Sequence, residues 1–183
     1  MKKWLLLSFV FFSIVVNAQY IDYNKITWSG VCDNKNVSYD RFYGITIQDS
    51  IVSISVKPIT DRNDWDINIK NISKSKIIIK WEAATIGDSY SSTRVLFGTM
   101  KMYQINDPMQ PSVIYQGSSL DKNIIGQQYA ENEFYNLVSK KEMKKWFKKY
   151  KRPEKRTVVL IVPIEYNDKE YIYKLQYTAT YSG

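Results

Sequence analysis

The densest chemistry in this sequence lies between residues 140 and 156, where ten basic side chains stand against two acidic ones. Lys140, Lys141, Lys144, Lys145, Lys148, Lys149, Lys151, Arg152, Lys155 and Arg156 give the stretch a net charge of +8. Ammonium and guanidinium groups at this density attract phosphates and carboxylates. The segment is therefore the candidate contact surface for an acidic partner. The charge is local. With Lys2 and Lys3 set aside, Lys and Arg number 24 against 18 Asp and Glu, and the residues outside 140–156 sum to −2.

Other constellations are weaker. There is no histidine, which removes the commonest general base near neutral pH and the commonest transition-metal ligand. A single cysteine, Cys32, rules out an internal disulfide and a structural zinc site; it is expected to be a buried thiol. Asp61-Arg62-Asn63-Asp64-Trp65-Asp66 alternates oxygen ligands as a calcium loop does. It lacks the central glycine and closing glutamate of such a loop, and Arg62 opposes a cation, so a turn is expected. Asn36-Val37-Ser38 and Asn71-Ile72-Ser73 match the glycosylation sequon, a pattern that recurs by chance. Glu131 and Glu133 define no acid/base pair. No glycine-rich phosphate loop, nucleophile elbow or Cys–His pair occurs. The sequence thus assigns no catalytic residue, cofactor or metal, and a protein that is not an enzyme is expected.

The element that positions the basic residues is a helix. Ser139 and Glu142 have capping-box spacing. Met143, Trp146, Phe147 and Tyr150 follow at i, i+3, i+4 and i+7, an arc of about 100° that excludes every lysine from 140 to 151. Pro153 ends the segment, which predicts one short amphipathic helix near 140–151. A helix so short is marginal alone and needs a surface for its apolar face. The packed core, an anionic membrane or nucleic acid would each serve; the export that the signal-like residues 1–18 imply argues against the last.

Elsewhere the pattern has period two. Val52, Ile54 and Val56, then Trp65, Ile67 and Ile69, then Ile77, Ile79 and Trp81 alternate with other, mostly polar residues, as in strands with one face in a core. Further strands are expected at 26–32, 94–97, 101–105, 112–116 and 123–127. A closing hairpin is expected from 157–166 and 169–178, turning at Asn167-Asp168. Tyr171, Tyr173, Leu175 and Tyr177 would share one face of its second arm. Pro163 lies within the first arm and should mark an edge or a bulge. Short strands, regular turns and almost no helix predict an all-β, mainly antiparallel fold, an immunoglobulin-like β-sandwich.

The N-terminus has the three parts of a signal peptide. Met1-Lys2-Lys3 is a positive head, Trp4 to Val16 is an apolar core, and Val16-Asn17-Ala18 is a cleavage site. The core's 13 residues fall short of the roughly 20 that span a bilayer. The expected organisation is a signal peptide at 1–18 and a single β-sandwich domain at 19–183. The mature chain is expected to have no transmembrane segment and to reside in the periplasm, in the cell envelope or outside the cell.

Several stretches between about residues 65 and 178 carry a resemblance. They are Asn71 through Ile79 to Trp81, Ser92-Thr93-Arg94-Val95 with Gly98, Pro111-Ser112-Val113-Ile114, and Gly117-Ser118-Ser119-Leu120. The last is Leu160-Ile161-Val162-Pro163-Ile164-Glu165 before Tyr171 and Tyr173. In these the chain resembles a family of uncharacterised bacterial secreted or lipoprotein-type cell-envelope proteins with a β-sandwich domain. The resemblance implies fold and location, and no catalytic residue. The chain lacks the family's lipid-attachment cysteine.

The expectation is therefore an exported, non-catalytic interaction module with the basic helix as its contact surface for an acidic envelope component or protein. One alternative is a binder of glycans or other ligands through exposed aromatics such as Trp65, Trp81 or Tyr90. A weaker one is a hydrolase using carboxylates.

Overall fold

The computed structural model describes residues 18–21, 26–32, 36–40, 44–57, 64–88, 90–101, 104–131 and 138–183. The expected signal segment up to residue 17, the loop residues 61–63 and Glu133 lie outside the described residues, as does the side chain of Glu131. In chain order the strands are β1 (Ala18–Ile21), β2 (Thr27–Cys32), β3 (Asn36–Asp40), β4 (Gly44–Gln48), β5 (Val52–Lys57), β6 (Asp64–Asn71) and β7 (Ile77–Ile79). A 3-10 turn (Trp81–Ala83) leads to β8 (Thr85–Gly87), β9 (Ser92–Phe97), β10 (Ser112–Ile114) and β11 (Ser119–Gly126). Two helices, α1 (Gln127–Glu131) and α2 (Lys140–Tyr150), precede β12 (Glu154–Tyr166) and β13 (Lys169–Tyr181).

Among the described residues every pairing is antiparallel. The strand order runs β1-β2-β13-β12-β8-β9-β11-β6-β5-β4-β3, with β7 and then β10 attached beside β12. Strand β9 belongs to two layers. Ser92 to Arg94 pair with β8, and Val95 to Phe97 pair with β11. At the far end β1 and β2 come against β3 and β4, so the sheet is nearly closed. The all-β, antiparallel class holds, with α2 as its substantial helix.

The core lies where inward positions of the two layers meet. Trp28 of β2 and Tyr177 of β13 each meet Trp65 of β6 edge to face, at 5.7 Å between ring centroids. Gly30 keeps β2 close to β4, since a Cβ there would sit 2.4 Å from the Ile45 side chain. Tyr173 ties the layers by donating its hydroxyl to Asp49 Oδ2 at 2.8 Å, while Asp49 Oδ1 accepts the amides of Ile51 and Val52.

The closing hairpin follows the expected pattern. Its register is continuous from Tyr166↔Lys169 to Glu154↔Tyr181. Asn167 (φ 51°) and Asp168 (φ 58°) both have positive φ, as a two-residue type I′ turn requires. Tyr173, Leu175 and Tyr177 are buried, with Tyr171 half-buried beside them.

Two expectations fail. Pro163 is at neither an outer edge nor a bulge; it pairs with Ile172 in an interior strand. Its carbonyl accepts the Lys80 amide at 3.1 Å, so its nitrogen faces the same flank. There β12 passes from β8 (Ile161↔Thr85) to β7 (Ile164↔Ile79), and the intervening 3-10 turn leaves no ladder bond for the missing N–H to serve. The predicted strand at 101–105 is also not seen in its described residues: Lys101 is outside any strand and Gln104 to Asp107 form turns, while 102–103 lie outside the described residues. The Arg94 guanidinium donates to the carbonyls of Ile105 and Asp107, and Glu82 accepts both Arg94 and the Met109 amide. These bonds draw the segment onto the 3-10 turn. The Met109 amide first, and then Arg94, hold the Glu82 carboxyl below the ordinary glutamate range.

Candidate functional site

The helical spacing that predicts α2 also orients its lysines. Ser139 caps it by accepting the Glu142 amide at 3.5 Å, and Lys151 ends it in the left-handed region (φ 53°), its amide bonded to the Phe147 carbonyl at 2.8 Å. Met143 is fully buried. Phe147 packs on the core and meets Tyr181 edge to face at 5.8 Å. These contacts set α2 against β12 and β13. With that side turned inward, Lys141, Lys144, Lys145, Lys148, Lys149, Lys151, Arg152, Lys155 and Arg156 are exposed, and Lys140 is half-buried. Arg156 pairs with Glu154 at 3.0 Å.

The expected apolar stripe is divided. Trp146 is half-buried and Tyr150 is 43% exposed. Their rings contact each other at 4.2 Å between centroids. The Arg152 guanidinium lies 5.8 Å from the Trp146 ring and 5.7 Å from the Tyr150 ring, and Lys149 Nζ is 4.9 Å from Tyr150. The C-terminal end of α2 thus presents an aromatic pair flanked by cations. Sequence periodicity places all four apolar residues on one face; which of them meet the core depends on residues far along the chain, such as Tyr181.

The other aromatics named by sequence are mostly internal. Trp65 and Trp81 are fully buried, the latter donating its Nε1 proton to Ser112 Oγ at 2.9 Å. Neither can form an exposed platform. Tyr90 is 97% exposed, and Tyr115, which sequence reasoning missed, is 69% exposed. Asn71, the second sequon's acceptor, is fully buried. Its amide donates to the carbonyls of Ser75 and Ile114, and its oxygen accepts the amide and hydroxyl of Ser73. It shapes the turn after β6 and offers nothing to a glycan. Cys32 is buried.

Sequence reasoning also missed a shallow groove of about 410 Å³ on the solvent face of β5, β6 and β11. Lys57, Asp66, Asn68, Asp121, Lys122 and Asn123 line it. Asn68 donates to Asp121 at 2.7 Å, and Asn123 donates to both Asp64 (2.8 Å) and Asp66 (3.1 Å). The polar positions alternating with Ile67, Ile69 and Ile124 were its sequence signal. Amide, carboxylate and ammonium groups together can exchange hydrogen bonds with hydroxyls of a neutral ligand. Asp64 and Asp66 of the calcium-like segment are engaged by Asn123. Among the described residues no group of three or more His, Cys, Asp or Glu is placed to hold a metal ion. Among them, too, no helix is long and apolar enough to cross a membrane.

Comparison with known proteins adds little to this geometry. No protein-family model and no curated protein matches the chain. A crystal structure of a protein from Archaeoglobus fulgidus aligns at a TM-score of 0.35 and 10% identity, covering 72% of this chain and 94% of that one.

Proposed function

We propose that this protein is an exported, non-catalytic interaction module of the bacterial cell envelope, and that the basic surface of α2 and the start of β12 contacts an acidic partner. The observation that carries this reading is the one-sided anchoring of α2. Met143 and Phe147 hold it to the sheet, and nine of the ten basic side chains around it are exposed. The residues of its signal-like N-terminus and the resemblance to envelope proteins support the location.

The test is retention on immobilised acidic lipid and lipopolysaccharide, wild type against Lys144, Lys145, Lys148 and Lys149 changed together to Gln. The variant should elute at markedly lower salt. Equal retention removes the reading.

The polar groove supports a second reading, a binder of a neutral saccharide. Titration with oligosaccharides should then give binding that is lost in Asp121→Ala. A carboxylate-dependent hydrolase would have to use the same groove through Asp66 and Asp121, and turnover lost in both Asp66→Asn and Asp121→Asn would move the protein to that class.

A further inference from the structure

With α2 taken as a contact surface, the reading on which this docking mode rests, its divided stripe narrows the kind of acidic partner. Trp146 and Tyr150 leave the core together, at the end of the helix where Lys149, Lys151 and Arg152 cluster. Among the described residues, Lys149 and Arg152 make no ion pair; their neighbours are rings. Tryptophan and tyrosine with one apolar side and one polar atom favour the headgroup level of a bilayer. Lysine and arginine there keep their stems along apolar surface and their charges at phosphate depth. Nucleic acid fits less well. Bases stack flat on successive open ring faces, whereas these two rings lie against each other, 4.2 Å apart and tilted by 44°.

We propose that the C-terminal end of α2 docks on an anionic phospholipid bilayer, with Trp146 and Tyr150 at the headgroup boundary and Lys149 and Arg152 on lipid phosphates. The helix lies in the interface plane and crosses nothing. Its sheet-bound side, Met143 and Phe147, stays packed. Docking moves Arg152 from the rings to phosphate, which frees the rings to enter the boundary.

The experiment is sedimentation with vesicles of phosphatidylcholine, alone or mixed with phosphatidylglycerol, at low and high salt, read together with tryptophan emission. Trp28, Trp65 and Trp81 are fully buried, so Trp146 is the described tryptophan able to report a change of surroundings. The expected result is sedimentation with phosphatidylglycerol vesicles only, weakened by salt, with a blue shift absent in Trp146→Phe. Arg152→Gln and Lys149→Gln should each weaken partitioning about fivefold. Tyr150→Ser should weaken it while leaving the melting temperature unchanged, which separates docking from folding.

Sedimentation without a blue shift, or equal sedimentation with both vesicle types, overturns the proposal. So does retention on lipopolysaccharide with no vesicle binding, although the basic-surface reading then survives. Loss of every acidic contact sinks both.

Discussion

The hairpin β12–β13 and the helix α2 are consecutive in the chain and are held in opposite ways. Along the hairpin, Val158, Leu160, Val162 and Ile164 face Tyr171, Tyr173, Leu175 and Tyr177 in an unbroken register, and all but Tyr171 are buried. Its side chains are committed to the core, and its strands to neighbours on either side. Helix α2 has one fully buried residue and one aromatic at the core's margin. A helix attached by so few contacts keeps most of its circumference for other uses. The difference separates residues that make the fold from residues the fold displays.

The sharpest way to break that comparison is Leu160→Ala. A cavity in the hairpin's buried row should cost about 2–5 kcal/mol, read from denaturant unfolding. A cost below that of any helix substitution would contradict the division of labour. Met143→Ala comes next. It should cost about 2 kcal/mol, the low end for its type, because a surface-laid helix can settle into the space. Loss of helix signal with the sheet's spectrum retained would mark α2 as separately anchored.

Tyr173→Phe should be smaller, about 1 kcal/mol, and dependent on pH. Burial, then the hydrogen bond to Asp49, push the Tyr173 hydroxyl above the ordinary tyrosine range. The folded state keeps the phenol neutral, whereas the unfolded chain ionises it near pH 10. Its contribution is therefore complete below about pH 10 and declines as pH rises beyond that value. Unfolding midpoints from pH 8 to 11 should fall more steeply for wild type than for the variant. Smallest of all, changing Lys144, Lys145, Lys148 and Lys149 to Gln should alter stability by no more than about 0.5 kcal/mol, while acidic retention drops.

The legible part of the fold was whatever repeats locally. Alternation at 52–56 and 65–69, the Asn167-Asp168 turn and the Ser139 cap are each written in a few adjacent residues. The illegible part depends on distant partners. Residues 101–105 have a strand's composition, yet the Arg94 guanidinium takes the carbonyls of Ile105 and Asp107. Pro163 is tolerated in an interior strand because a 3-10 turn from another segment passes opposite it. The expectation that Trp65 is exposed contradicted the alternation that already placed it with Ile67 and Ile69; the periodicity was the better guide. At the candidate site, the basic residues and their helix were legible. The parting of Trp146 and Tyr150 from Met143 and Phe147 was not, since it depends on which of them finds a distant partner such as Tyr181.

Strand β9 has a dynamic consequence. Its first half is laddered to one layer and its second half to the other, and the Val95 amide reaches across to the Ala84 carbonyl at 2.9 Å. Neither layer can peel away without rupturing this strand. Its amides should therefore exchange with deuterium only when the whole molecule opens, later than those of β1 or β3 at the ends of the strand order.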